Sequence, residues 1–302
     1  MALIFSKKPG RITKQGAPLL DEGIFLKGDN GRAAILIHGL TGTPNEIKFL
    51  GVSLNKKGYT VICPRLKNHG APLGVLKDTK WEDFYQSVRD AYMEVRDSHR
   101  FIFVSGLSMG ALLALLLADE FRDRINGVSC LSPTLFYDGW NTPWYNFLLP
   151  IAVYTPLRNY FYHKEDPPYG VKNERMRQRL HNYYSNAGID DDTGKISEYG
   201  YPFFPVVLLC QLKSLVNHLI GRLENIQAPV QLIQAKDDDI SSVKNSQFIY
   251  DRVRSKTKEI VLLYDSYHCI TADQERKTVT AKIEEFFGKI HERYPSPVSG
   301  GG

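Results

Sequence analysis

From about residue 33 onward, the hydrophobic and polar positions alternate between two rhythms. Short apolar runs with no polar alternation, Ala33–Ile37, Tyr59–Cys63, Phe101–Ser105 and Val128–Leu131, predict strands buried on both faces. Between them apolar residues recur at helical spacing. Ile47, Leu50 and Leu54 share one face, with Gly58 placed to close that helix. Trp81, Phe84 or Tyr85, Val88, Tyr92 and Val95 share the next, and Ala111 to Phe121 is apolar almost throughout. Two S/T-x-x-E patterns, Thr43/Glu46 with Pro44 between them and Thr79/Glu82, predict capping boxes at the first two helix starts. The rhythm breaks over residues 134–227, which carry Trp140, Trp144, Tyr145, Phe147, Tyr160, Phe161, Tyr183, Tyr184, Phe203 and Phe204. It resumes with strands at Val230–Gln234 and Ile260–Leu263. A last helix follows, with Val279, Ile283, Phe286 and Ile290 on one face.

Alternating buried strands and amphipathic helices imply an α/β fold, a mainly parallel sheet with helices on both faces. The core is expected from residues 1–133 and 228–295, with 134–227 inserted as a mainly helical cap. Such sheets bind ligands beyond the carboxyl ends of their strands, so an aromatic insertion there reads as a lid. Inside it, Val206–Arg222 is apolar on one face and is expected to pack on the core or lid rather than a lipid surface. Ser296–Gly302, made of Pro, Ser, Val and Gly, reads as a disordered tail.

Composition narrows the function. The 302 residues are 43% hydrophobic and 12% aromatic, enough for a large core. The net charge of +5 disperses 38 Lys and Arg among 33 Asp and Glu. Even Lys172–Arg179 (KNERMRQR) reads as a solvated helix face, so nucleic acid is not an expected partner, while a membrane surface stays possible. The four cysteines form neither a CxxC pair nor a zinc spacing, which suits a reducing compartment. No signal-peptide core and no run of about 18 apolar residues occurs, so a cytoplasmic location is expected.

Strand Phe101–Ser105 runs into Gly106-Leu107-Ser108-Met109-Gly110 and then a helix. G-x-S-x-G between strand and helix puts a serine on a sharp turn above the sheet, with glycines leaving room for close approach. A helix N-terminus then lies beneath the oxyanion formed when that serine attacks a carbonyl. Acyl transfer needs two preorganised N–H donors. Met109, next after the serine, supplies one, and Leu40, in the His38-Gly39-Leu40 loop after the first strand, the other. His38 reads as a brace of that loop. Serine also needs a base oriented by an acid, in the chain order Ser…Asp…His. His268, between a late strand and the last helix, fits the base. Asp237, Asp238 and Asp239 follow the strand at 230–234, and order alone does not separate them. Neighbouring carboxylates point in different directions and no second ligand cluster accompanies them, so neither a metal nor another cofactor is expected.

The motifs HGLTGTP (38–44), GLSMG (106–110), QAKDDD (234–239) and YHCITAD (267–273) resemble the bacterial carboxylesterase and monoacylglycerol lipase branch of the α/β hydrolases. Lys67-Asn68-His69-Gly70 is similar to that family's Gly-His-Gly loop, with Asn68 in place of the first glycine. The resemblance implies an α/β-hydrolase fold with Ser108 as nucleophile, Asp238 as acid, His268 as base, and Leu40 and Met109 as oxyanion donors. It also implies an ester substrate, with the aromatic cap pointing to an apolar acyl chain. The same triad serves thioesterases, amidases and C–C hydrolases, and the fold also serves catalytically silent ligand-binding proteins.

Overall fold

The computed structural model describes residues 3–5, 23–142, 155, 161–185 and 200–293. The tail at 296–302 and the cap aromatics Trp144, Tyr145, Phe147 and Tyr160 lie outside the described residues. The strands are β1 (Leu3–Phe5), β2 (Ile24–Leu26), β3 (Arg32–Ile37), β4 (Thr60–Cys63), β5 (Phe101–Leu107), β6 (Gly127–Leu131), β7 (Phe161–Lys164), β8 (Phe203–Pro205), β9 (Val230–Ala235) and β10 (Lys258–Leu263). The helices are α1 (Lys48–Lys56), α2 (Leu73–Leu76), α3 (Trp81–Val95), α4 (Met109–Glu120), α5 (Glu174–Ser185), α6 (Val207–Ile220), α7 (Val243–Arg252) and α8 (Arg276–Arg293).

Seven strands form one sheet in the order β10-β9-β6-β5-β3-β4-β2. All neighbours run parallel except β2, which pairs antiparallel with β4 at the edge. β3, β4, β5, β6 and β9 are buried almost completely, as expected of strands covered on both faces. Leu50 and Leu54 of α1 and Ile283 and Phe287 of α8 pack on one face, where Phe287 stacks on Phe103 of β5 at 4.4 Å. On the other, Phe84 and Val88 of α3, Leu112 of α4, Leu215 of α6 and Ile249 of α7 share one cluster. The helix expected at Val206–Arg222 is α6, packed against α3 and α4.

Every residue of α4 from Met109 to Asp119 is buried, so this helix is apolar all round rather than amphipathic. The exception, Asp119, is met by Arg122 and by Arg222 just beyond α6, each at 3.0 Å, which compensates a buried charge and ties α4 to α6. Among the described residues no helix is long and apolar enough to cross a membrane.

β1, β7 and β8 form a second, antiparallel sheet, with Leu3 opposite His163 and Tyr162 opposite Pro205. The insertion between β6 and β9 therefore contains strands as well as helices, and Leu3–Phe5 pairs with them. Neither capping box forms as expected. Thr43 accepts Asn45 N–H, but Glu46 accepts Gly39 N–H at 2.9 Å instead of turning back to Thr43. At α3 the cap falls one residue later: Lys80 N–H donates to Asp83, while Thr79 is held by Asn68 and by Val75 of the short preceding helix.

Candidate active site

The turn between β5 and α4 is as tight as its glycines require. A Cβ on Gly106 would come within 2.2 Å of the Gly110 main chain, and one on Gly110 within 2.3 Å of Ile37 O. No other residue fits at either position. Between them Ser108 has φ 57° and ψ −117°, a conformation that strains any residue with a side chain. Parallel neighbours hold that strain in place: Ser108 N–H donates to Leu131 O at 2.8 Å. Ser108 Oγ lies 3.0 Å from Thr134 Oγ1, which also reaches Ser132 O and Ser241 Oγ.

His268 lies in the loop after β10 and is buried. Its Nδ1 is 3.0 Å from both Asp238 oxygens. A carboxylate only accepts, so Nδ1 carries the proton and Nε2 keeps its lone pair. Asp238 is fixed in turn by Ile240 and Ser241 N–H on Oδ1 and Gln234 Nε2 on Oδ2. Burial by itself would lower the imidazole pKa. The Asp238 charge and hydrogen bond, with Asp239 and Glu46 nearby, outweigh that and raise it above 6.5.

The three aspartates left open by sequence order have three different settings. Asp237 is exposed, and Asp238 holds the imidazole. Asp239 is buried and accepts the main-chain N–H groups of His268 and Gly170.

Each peptide of the loop after β3 is pinned. Gly39 N–H goes to Glu46 and Gly39 C=O to His38 Nδ1 at 2.9 Å, Leu40 C=O to His69 Nε2 at 2.8 Å, and Thr41 C=O to Tyr201 N–H at 3.1 Å. Leu66 N–H donates to His38 Nε2, so the His38 proton sits on Nδ1. In a trans peptide C=O and N–H point opposite ways, so fixing Gly39 C=O on His38 turns Leu40 N–H away from it. Among the described residues no acceptor takes up the N–H of Leu40 or Met109. Burial keeps both brace histidines neutral, His69 with a pKa lowered to about 4.

Ser108, His268, Leu40, Glu46 and Asp239 line one cavity of about 480 Å3. Val171, Met176, Leu180, Tyr184, Phe204 and Leu209 supply its apolar walls. Asp238 lies behind the imidazole. Glu165, just past β7, also faces the cavity, where burial lifts its pKa to about 7. Thr134, Ser241, Gln234, Glu46 and Glu165 were not legible as site residues. The capping pattern at Glu46 pointed to a different role, and the others carry no local signal.

The family model described as serine aminopeptidase, S33, matches residues 29–275. A thermostable monoacylglycerol lipase from Bacillus sp. (strain H-257) is 29% identical over 273 residues, 90% of this chain and 97% of the relative. A carboxylesterase from Bacillus subtilis (strain 168) is 25% identical over 272 residues, 88% and 95% of the two chains. Among solved structures, a metagenome-derived lipolytic enzyme superposes with a TM-score of 0.73 at 23% identity, covering 89% of this chain and 97% of that one. With most of its length matched, the chain belongs to the serine aminopeptidase S33 family and is an α/β hydrolase of the carboxylesterase and monoacylglycerol lipase type.

Proposed function

We propose that this protein hydrolyses carboxylic esters with an apolar acyl chain through an acyl-enzyme on Ser108. The observation that supports this best is the buried His268–Asp238 pair at the cavity that Ser108 also lines. In this reading Ser108 Oγ leaves Thr134, gives its proton to His268 Nε2 and attacks the ester carbonyl. Asp238 steadies the imidazolium, and the N–H groups of Leu40 and Met109 hold the oxyanion. The C–O bond to the alcohol breaks as His268 returns the proton to the leaving oxygen. Water, deprotonated by His268, then attacks the acyl carbonyl and frees the acid and Ser108. Residues 134–227 serve as the cap over the acyl pocket.

The apolar walls supply the reason for an acyl chain, since burying each methylene contributes about 0.8 kcal/mol. A cavity of this size takes a chain of moderate length. The relative named a monoacylglycerol lipase makes a monoacylglycerol the first natural ester to test. The experiment is a series of p-nitrophenyl esters of increasing acyl length beside 1-monoacylglycerols. kcat/KM should climb with chain length until the pocket is filled. A profile that falls from acetate onward would contradict the apolar acyl site. Amide or thioester turnover exceeding that of the matched ester would contradict the ester reading.

A further inference from the structure

Two buried aspartates outside the Ser108, His268 and Asp238 set share an arrangement that core packing does not require. Asp239 is 3% exposed and Asp273 2% exposed. Among the described residues neither has an ion-pair partner. Burying a carboxylate costs several kcal/mol unless donors replace its water. Here the donors are main-chain N–H groups. Asp239 Oδ1 accepts His268 N–H and its Oδ2 accepts Gly170 N–H, both at 3.2 Å. Asp273 Oδ2 accepts Tyr267 N–H at 2.8 Å and Lys172 N–H at 2.7 Å, while Oδ1 accepts Asn173 N–H at 2.8 Å.

Each carboxylate thus joins the same two stretches of chain, residues 267–268 and residues 170–173. Cys269 N–H donates to Gly170 O at 2.7 Å and closes the seam directly. Gly170 itself has φ +69°, and a Cβ there would stand 2.8 Å from Cys269 Sγ and 3.4 Å from His268 Cβ, so the two strands of chain are in contact. At Asp239 only a group that accepts at both ends satisfies donors on both sides; at Asp273 Oδ2 alone takes Tyr267 and Lys172, and Oδ1 is needed for Asn173. Asparagine offers an acceptor at one end and a donor at the other.

We infer that Asp239 and Asp273 are positioning residues for the base: they fasten the backbone that carries the His268 imidazole to the cap segment 170–173. The cap then helps set where the base stands, besides shaping the pocket. This rests on His268 acting as the base. A hundredfold loss from roughly an ångström of misplacement is the scale expected for a group that must meet a hydroxyl proton.

The test compares Asp239→Asn and Asp273→Asn with the exposed control Asp237→Asn and with Asp238→Asn, using p-nitrophenyl butyrate. Asp239→Asn should lower kcat by about 10- to 100-fold with little change in KM, and Asp273→Asn, whose carbonyl keeps Tyr267 and Lys172 but loses Asn173, should lower it by less. Asp237→Asn should match the parent. Of the charged groups facing His268, Asp238, Asp239 and Glu46, only one charge is lost in Asp239→Asn, so the acid limb of its kcat/KM profile should move to lower pH. Asp273→Asn should leave that limb in place. A role confined to holding the fold together predicts a lower melting temperature with parental kcat in the folded fraction, and that result overturns the inference. So does a loss confined to KM. If Asp238→Asn also keeps full activity, the base assignment itself has failed instead. Should the variants not fold, amide exchange on the parent protein decides. The N–H groups of 170, 172 and 173 should exchange together with those of 267 and 268, and cap amides exchanging orders of magnitude faster contradict the fastening.

Discussion

Replacing Asp238 with asparagine keeps the side chain's shape while removing one charge and one acceptor. Oδ1 takes two main-chain N–H groups, from Ile240 at 2.9 Å and Ser241 at 2.8 Å, so the asparagine carbonyl must stay there. The amide nitrogen then occupies the Oδ2 position, facing Gln234 Nε2 at 2.7 Å and His268 Nδ1 at 3.0 Å. Gln234 is poorly placed to turn over. Its Oε1 accepts Ser246 Oγ at 2.8 Å, and its Nε2 also donates to Ser241 O at 2.9 Å. The carbonyl at the Oδ1 position, also 3.0 Å from Nδ1, can still accept its proton. The new amide N–H, however, is satisfied only by a lone pair at Nδ1, which favours moving the imidazole proton to Nε2, the nitrogen that should receive the Ser108 proton. In serine proteases the same tautomer error costs about 10⁴-fold in kcat, equivalent to roughly 5 kcal/mol of transition-state stabilisation. Steady-state hydrolysis of p-nitrophenyl butyrate, with far-UV circular dichroism confirming the fold, measures it. An Asp238→Asn enzyme keeping more than about a tenth of parental kcat refutes the assigned role. Greater sensitivity at Asp237 would refute the register of the whole loop.

Other consequences follow from the same geometry. Ser108→Gly and Ser108→Ala both lose the hydroxyl, but only alanine keeps a Cβ at φ 57°, so the glycine variant should be more stable by roughly 1 kcal/mol in chemical denaturation; equal stability contradicts the strain. A base works only when neutral, and the His268 pKa is raised, so kcat/KM should rise with pH through a midpoint above 6.5. A midpoint at or below 6.5 contradicts the pairing with Asp238. His69 stays neutral when folded, with a pKa of about 4, whereas the unfolded chain takes up a proton below about 6.5. Its stabilising effect is complete above 6.5 and is lost as pH falls toward 4, by roughly 3 kcal/mol. His69→Gln should flatten that part of the stability–pH curve; an unchanged slope contradicts a buried neutral histidine.

The buried strands and the tight turn at Ser108 were legible because each is written in a short stretch of sequence. AAILI and FIFVS have no polar face, and GLSMG has glycines where only glycine fits. Chain order pointed to His268, which the fold sets against Asp238. The small second sheet was not, because Leu3–Phe5 pairs with residues some 160 positions away and three apolar residues carry no mark of a partner. Glu46 shows how a local pattern misleads: T-x-x-E reads as a cap, yet a main-chain donor from the loop after β3 captures the carboxylate. Likewise chain order alone leaves three adjacent aspartates alike; the family resemblance points to Asp238, and what each side chain meets shows how their settings differ. Thr134, Ser241 and Gln234 are ordinary polar residues until folding brings them together around Asp238 and Ser108.

A covalent intermediate on Ser108 is the centre of the proposed mechanism. Rapid mixing with excess p-nitrophenyl butyrate, acid quenching and peptide mass mapping read it directly. A burst of p-nitrophenol approaching one equivalent per chain should accompany a butyryl mass on the peptide containing Ser108. Steady turnover with no burst, in an enzyme whose Ser108 peptide stays unmodified both by substrate and by a fluorophosphonate, contradicts it.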